Sequence, residues 1–155
     1  MRCRSIEIAD SAAGRIAMAA ALLIAGAVMF TLSARGAESG HYTAAQAEAG
    51  HGVYAAHCAV CHGARLQGGP GPALIGAKFA RSLESDPITG PQLYEFITSH
   101  MPAGEPGSLG DREFLQAFAY LLAANGYPAG DAPLTKRTLG ETKLLPYPGP
   151  RRDAP

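Results

Sequence analysis

The chain has 155 residues, with 13 basic against 13 acidic side chains, no tryptophan and three cysteines, which suits one small domain with an appendage. The charge is unevenly spread: positions 38–132 hold 4 Lys/Arg against 9 Asp/Glu, and positions 133–155 hold 5 against 2. An acidic body with a basic tail argues against a nucleic-acid partner and is compatible with charge-steered docking on a protein.

Residues 1–37 read as a targeting segment. Arg2, Arg4 and Arg15 precede an uncharged apolar run of 17 residues, Ile16 to Leu32, and the small residues of SARGAES follow, with Ala34 and Gly36 at plausible cleavage positions. The run lies between the length of a signal-peptide core and that of a spanning helix, so it reads as a cleaved signal peptide or a retained membrane anchor. In both readings the arginines stay on the cytoplasmic side and the rest of the chain is exported. Cys3 precedes the apolar run, which leaves Cys58 and Cys61 in the exported part.

Thr43-Ala44-Ala45-Gln46 has the form of a capping box and predicts a helix running into Cys58, with Ala47, Gly50, Val53, Tyr54 and His57 facing inward. A glycine at position 50 would let another helix come close, and packing against a neighbouring loop explains it equally well. Gly63 to Ala77, with five glycines and two prolines, reads as an irregular loop that can bury Leu66, Leu74 and Ile75, with Phe79 just beyond it. Thr89-Gly90-Pro91 predicts a second helix start, continuing through Leu93, Phe96 and Ile97 and stopping at Pro102. The clearest helix spans about Asp111 to Ala124, with Phe114, Phe118, Leu121 and Leu122 on one stripe and Asn125-Gly126 as its stop. Beyond Tyr127 the chain is rich in proline and basic residues and shows no period. Residues 38–130 therefore form the domain and 131–155 an irregular, Pro-rich basic tail. Long Gly/Pro loops and three helices bury little apolar surface alone, which calls for something large and apolar at the centre.

Cys58-Ala59-Val60-Cys61-His62 is the centre of the argument. Zinc wants about four ligands, and the histidines downstream of Cys61 are His62, adjacent to it, and His100. A redox Cys-x-x-Cys sits at a helix N-terminus beside a strand, whereas this pair follows a helix. A structural disulfide suits an exported protein but leaves the histidine and loops without a role. The remaining reading is covalent haem c attachment, with both thiols as thioethers and His62 as proximal iron ligand. A second axial ligand would come from Met101, held just before Pro102, or from His100; the alternative is an open or water-bound site. Met/His ligation fills both axial positions and raises the reduction potential.

These residues resemble a class I c-type cytochrome, from about Tyr42 to Gly130. Within that class the chain is similar to the single-haem cytochromes that serve alcohol-oxidising and related quinoprotein dehydrogenases. The likeness rests on Tyr54 ahead of CAVCHG, Leu66-Gln67-Gly68-Gly69, Gly71-Pro72-Ala73-Leu74, Met101-Pro102 with Pro106-Gly107-Ser108-Leu109, and Tyr120 to Gly126 (YLLAANG). The resemblance implies an all-α fold of three to five helices around one covalently bound haem c, its first and last helices crossing beside it. It implies Cys58 and Cys61 as thioether anchors, His62 and Met101 as axial ligands, and the Pro72 carbonyl as acceptor for the proximal imidazole. Many relatives carry a tryptophan a few residues after the phenylalanine matching Phe79; Leu83 or a neighbour stands there, and Lys78 and Arg81 are the candidates near a haem propionate.

The expectation is a periplasmic electron carrier rather than an enzyme, or one anchored to the inner membrane facing the periplasm. It would take single electrons from a quinoprotein-type dehydrogenase and pass them to a terminal oxidase or another cytochrome of a respiratory chain. Leu66, Leu74, Ile75, Phe96, Leu121 and Leu122 would line or back the haem. The alternatives are a cytochrome subunit held permanently in a dehydrogenase or oxidase complex, and a haem enzyme or gas sensor with an open sixth position.

Overall fold

The computed structural model describes residues 40–150, within the second of two units, residues 37–155. The signal or anchor segment and Cys3 lie outside the described residues. Five α-helices and a 3-10 turn make up the regular structure, and no strand occurs among the described residues. The helices are α1 (Ala44–His57), α2 (Ala59–His62), α3 (Gly76–Ser85), α4 (Gly90–His100) and α5 (Asp111–Ala124), and the 3-10 turn is Thr138–Glu141. The all-α expectation holds.

Helix α1 starts where Thr43 caps it, its hydroxyl accepting from the Gln46 N–H at 3.1 Å. The Gln46 side chain does not close a capping box. It pairs instead with the backbone of Leu134, donating to the carbonyl at 2.9 Å and accepting from the N–H at 2.7 Å. Ala47, Gly50 and Tyr54 are buried, Val53 is half-buried and His57 is exposed. Helix α5 crosses against this face. A β-carbon on Gly50 would lie 1.9 Å from the Gln116 carbonyl oxygen, so the crossing requires glycine there. Phe114, Phe118, Leu121 and Leu122 are all buried on α5, as their stripe predicts, and Ala119, Tyr120 and Ala124 join them.

Helix α4 has the capping box its sequence announces: the Thr89 hydroxyl accepts from the Gln92 N–H, and the Gln92 side chain accepts from the Thr89 N–H at 2.8 Å. It buries Tyr94 against Phe118, ring to edge at 5.9 Å, while Leu93 and Ile97 are half-buried and Phe96 is half exposed. Helix α3 departs from expectation, since the irregular loop ends at Ile75 and a helix begins at Gly76. Phe79 and Leu83, one turn apart on it, are 6 % and 2 % exposed.

The tail packs on the domain, with its backbone still against Gly126 at Gly149. Leu134, Leu139 and Leu144 are buried among the core residues, and the Gly90 N–H donates to the Thr142 carbonyl at 3.2 Å.

Candidate haem site

Helix α1 ends at Cys58, and a single further turn, α2, carries Cys61 and His62. The Cys61 and His62 N–H groups both donate to the Cys58 carbonyl, at 3.1 and 2.9 Å. That turn presents one thiol from its N-cap, Cys58, and the second thiol and the imidazole from its last two residues, Cys61 and His62. Both sulfurs are free of disulfide and half-buried. Burial, and secondarily the neighbouring Cys61, push the Cys58 thiol up from its ordinary value. An activated redox thiol needs the opposite shift. Among the described residues no group of three or more His, Cys, Asp or Glu side chains comes together to hold a bare metal ion.

His62 is buried, and its Nδ1 lies 2.8 Å from the Pro72 carbonyl oxygen. A carbonyl can only accept, so Nδ1 carries a proton, and in the neutral ring that tautomer has its lone pair on Nε2. The loop between these residues is tied back onto α2: the Gly68 N–H donates to the His62 carbonyl at 2.8 Å and the Gly71 N–H to the Cys61 carbonyl at 2.9 Å. A β-carbon on Gly71 would come within 3.0 Å of the His62 ring, so glycine is what allows the loop to lie this close. Leu66, wholly buried, sits at φ +57°, a left-handed conformation that leucine adopts at a cost of about 1–2 kcal/mol. Its burial offsets that cost, and its carbonyl accepts from the Leu74 N–H at 2.8 Å.

Tyr54 was legible as part of the pattern, and its role is now visible. Its hydroxyl donates to the Gly63 carbonyl at 2.6 Å, fixing the residue after His62. Burial first, then the charges of Cys58 and Tyr120, push its phenol up to about 12.

The two rivals for the second axial position differ sharply. Met101 is half-buried at the C-cap of α4, with its N–H donating to the Ile97 carbonyl at 2.9 Å and its carbonyl accepting from Gly107 at 3.2 Å. His100 is exposed and stacked on Phe96, ring centroids 4.6 Å apart, with Nδ1 3.0 Å from the Phe96 carbonyl. Lys78 and Arg81 are exposed on α3. Of the apolar residues expected around the haem, Leu66 and Leu121 are buried, Leu74 and Ile75 half-buried, and Leu122 lines a cleft with Tyr42 and Tyr127.

Sequence reasoning missed the residues that hold the loop from behind. Asn125, read as a helix stop, donates through Nδ2 to the Leu74 carbonyl at 2.8 Å, and the Tyr147 hydroxyl accepts from the Gly76 N–H at 2.9 Å. The Asn-Gly stop signal concealed the first, and nothing local signals the second.

The donor set fits a covalent haem: two unpaired thiols on one helical turn, and an adjacent imidazole whose free nitrogen is Nε2. Residues 45–121 match the family model described as cytochrome C oxidase, cbb3-type, subunit III. No curated protein and no solved structure matches the chain. With its helical fold and the turn from Cys58 to His62 lying inside the matched region, residues 45–121 form a class I c-type cytochrome domain, an electron-transfer fold that binds haem c covalently.

Proposed function

We propose that the protein is a periplasmic carrier that takes single electrons from a dehydrogenase of the quinoprotein kind and delivers them to a respiratory acceptor. Cys58 and Cys61 would anchor the haem as thioethers, and His62 and Met101 would hold its iron. When bound, the haem supplies the one-electron couple. The chain's own residues orient and shield it: Pro72 holds the imidazole by Nδ1, Tyr54 fixes the turn after it, and the loop glycines let the backbone approach. The observation that carries this reading is the His62 Nδ1 contact with the Pro72 oxygen, 2.8 Å, which engages one ring nitrogen and leaves the other free to ligate. Such an acceptor raises the basicity of the ligand and fixes its orientation.

With His62 and Met101 both holding it, the iron would have no position left for a substrate, and the haem would supply electron exchange alone. The test is carbon monoxide titration of the reduced full-length cytochrome. An unchanged spectrum is expected. Binding at stoichiometric carbon monoxide would sink the carrier reading and favour an enzyme or gas sensor with an open sixth position.

A second reading is favoured by one finding, that the matching family is named for an oxidase subunit. Here the protein would be a fixed cytochrome subunit of a membrane oxidase, held near it by residues 1–37 as an anchor.

A further inference from the structure

The tail returns to the haem-binding loop. After Leu134 locks onto Gln46, the chain passes the 3-10 turn and buries Leu144, whose carbonyl accepts from the Tyr127 hydroxyl at 2.5 Å. Three residues later Tyr147 reaches a short relay. Its hydroxyl accepts from the Gly76 N–H at 2.9 Å and donates to Asn125 Oδ1 at 2.7 Å. Asn125, wholly buried, uses Nδ2 to donate to the carbonyls of Leu74 and Leu121, both at 2.8 Å. The Tyr147 ring stands edge-on to Phe79 at 6.2 Å and to Tyr127 at 6.5 Å. The tail backbone then crosses Gly126, where a β-carbon would lie 2.1 Å from the Gly149 carbonyl oxygen.

Leu74 and Gly76 lie two and four residues beyond Pro72, whose carbonyl accepts the hydrogen bond from His62 Nδ1–H. Upstream, the loop is fixed to α2 by Gly71. Downstream, its ties are the Leu66 carbonyl, Asn125 and Tyr147. One of those ties belongs to the tail, and a second, Asn125, is itself oriented by the tail.

We infer that Tyr147 is a positioning residue for the proximal histidine: its hydroxyl fixes the stretch Leu74–Gly76 and thereby the Pro72 carbonyl, so that the C-terminal tail tunes the reduction potential. The inference rests on His62 being an axial ligand. A firm Nδ1–H···O=C bond makes the imidazole a better electron donor and favours ferric iron. Loosening it raises the potential.

The experiment uses the full-length holocytochrome and two variants. Tyr147→Phe keeps the ring contacts and removes the hydroxyl; Leu144→Ala removes buried tail packing without touching the relay. Tyr147→Phe is expected to raise the midpoint potential and to speed hydrogen exchange at the His62 Nδ1–H by about tenfold, the scale of one lost hydrogen bond. Leu144→Ala is expected to lower Tm while leaving both readouts at their wild-type values. If both variants only lower Tm, Tyr147 is a structural tie and the inference is overturned. The same NMR spectra separate this from failure of the ligand reading. Wild-type His62 ring resonances without hyperfine shift in the ferric state would overturn the axial assignment and this inference together. Shifted resonances with an unmoved potential in Tyr147→Phe overturn this inference alone.

Discussion

An imidazole ligates iron through a nitrogen that carries no proton, and the Pro72 carbonyl holds the proton of His62 on Nδ1, away from Nε2. The opposite face has to come from a residue not already engaged elsewhere. His100 lies flat on Phe96 with its Nδ1 against the α4 backbone and solvent around it, whereas Met101 is half-buried one residue later. Met101→Ala is therefore expected to lower the midpoint potential and to let the reduced iron bind carbon monoxide, with His100→Ala near wild type. A spectrum and potential unmoved by Met101→Ala, with a change in His100→Ala, would reverse the assignment. A second residue-scale prediction concerns alkali. The Tyr54 and Tyr127 phenols, raised by burial to about 12 in the fold, have an ordinary value of 10. Thioether formation at Cys58 removes one lesser contribution to Tyr54 and leaves burial, the largest, in place. Between pH 10 and 12 the unfolded chain has lost those protons and the folded one keeps them, so stability falls as pH rises through that window. Urea unfolding at successive pH values above 10 checks this. The decline in Tyr54→Phe is expected to be shallower than in the wild type.

Helix α1 places the haem turn, and it does so through its crossing with α5. The crossing depends on Gly50 lying against the Gln116 carbonyl, while Gly52, two residues along, has nothing within 4 Å of a built β-carbon. Gly50→Ala is expected to destabilise by about 1–3 kcal/mol through overpacking against backbone. Gly52→Ala on the same helix is expected to stabilise by about 0.5–1 kcal/mol. Paired chemical denaturation curves decide this, and equal effects of the two would mean that the helices are not held at Gly50. This contact was only half legible in the sequence: a glycine at position 50 allows a close helix or a close loop, and Gly52 in the same helix has no close neighbour at all. Helix α5 was legible, since its apolar stripe and Asn-Gly stop agree. Helix α3 was not, because it lacks the usual start chemistry. Its N-cap, Ile75, has no capping side chain, and its first residue, Gly76, has φ +72°. Both look like loop until Phe79 and Leu83 are seen to share a buried face. Gln46 shows the same limit from the other side. The string read as a capping box, but the side chain serves a partner 88 residues away, a choice that only tertiary contact can make.

At the scale of the whole molecule the open choice is between a carrier that diffuses and a subunit that stays. Composition marks positions 131–155 as a separate material, basic and proline-rich, of the sort that could strap onto another protein. The described part of it is instead engaged with its own domain. Leu134, Leu139 and Leu144 are buried, Tyr147 is bonded to the haem loop, and Lys136 pairs with Asp111 at 2.6 Å. The ion pair is exposed at both ends and contributes about 0–1 kcal/mol at most, so the leucines and the hydroxyl relay do most of the holding. Their spacing follows neither a helical nor a strand period, which is why the sequence alone did not reveal them. With the described tail engaged on its own domain, a hold on the membrane would fall to residues 1–37, if they are kept as an anchor rather than cleaved. The expected outcome is that a high-salt wash or the soluble fraction of native membranes releases the haem polypeptide alone, at the mass of one chain. Retention after high salt, followed by release in detergent as a single polypeptide, would mean an anchored carrier. Retention in fixed ratio with oxidase or dehydrogenase subunits after mild detergent would overturn the carrier reading, and those subunits would identify the electron's route.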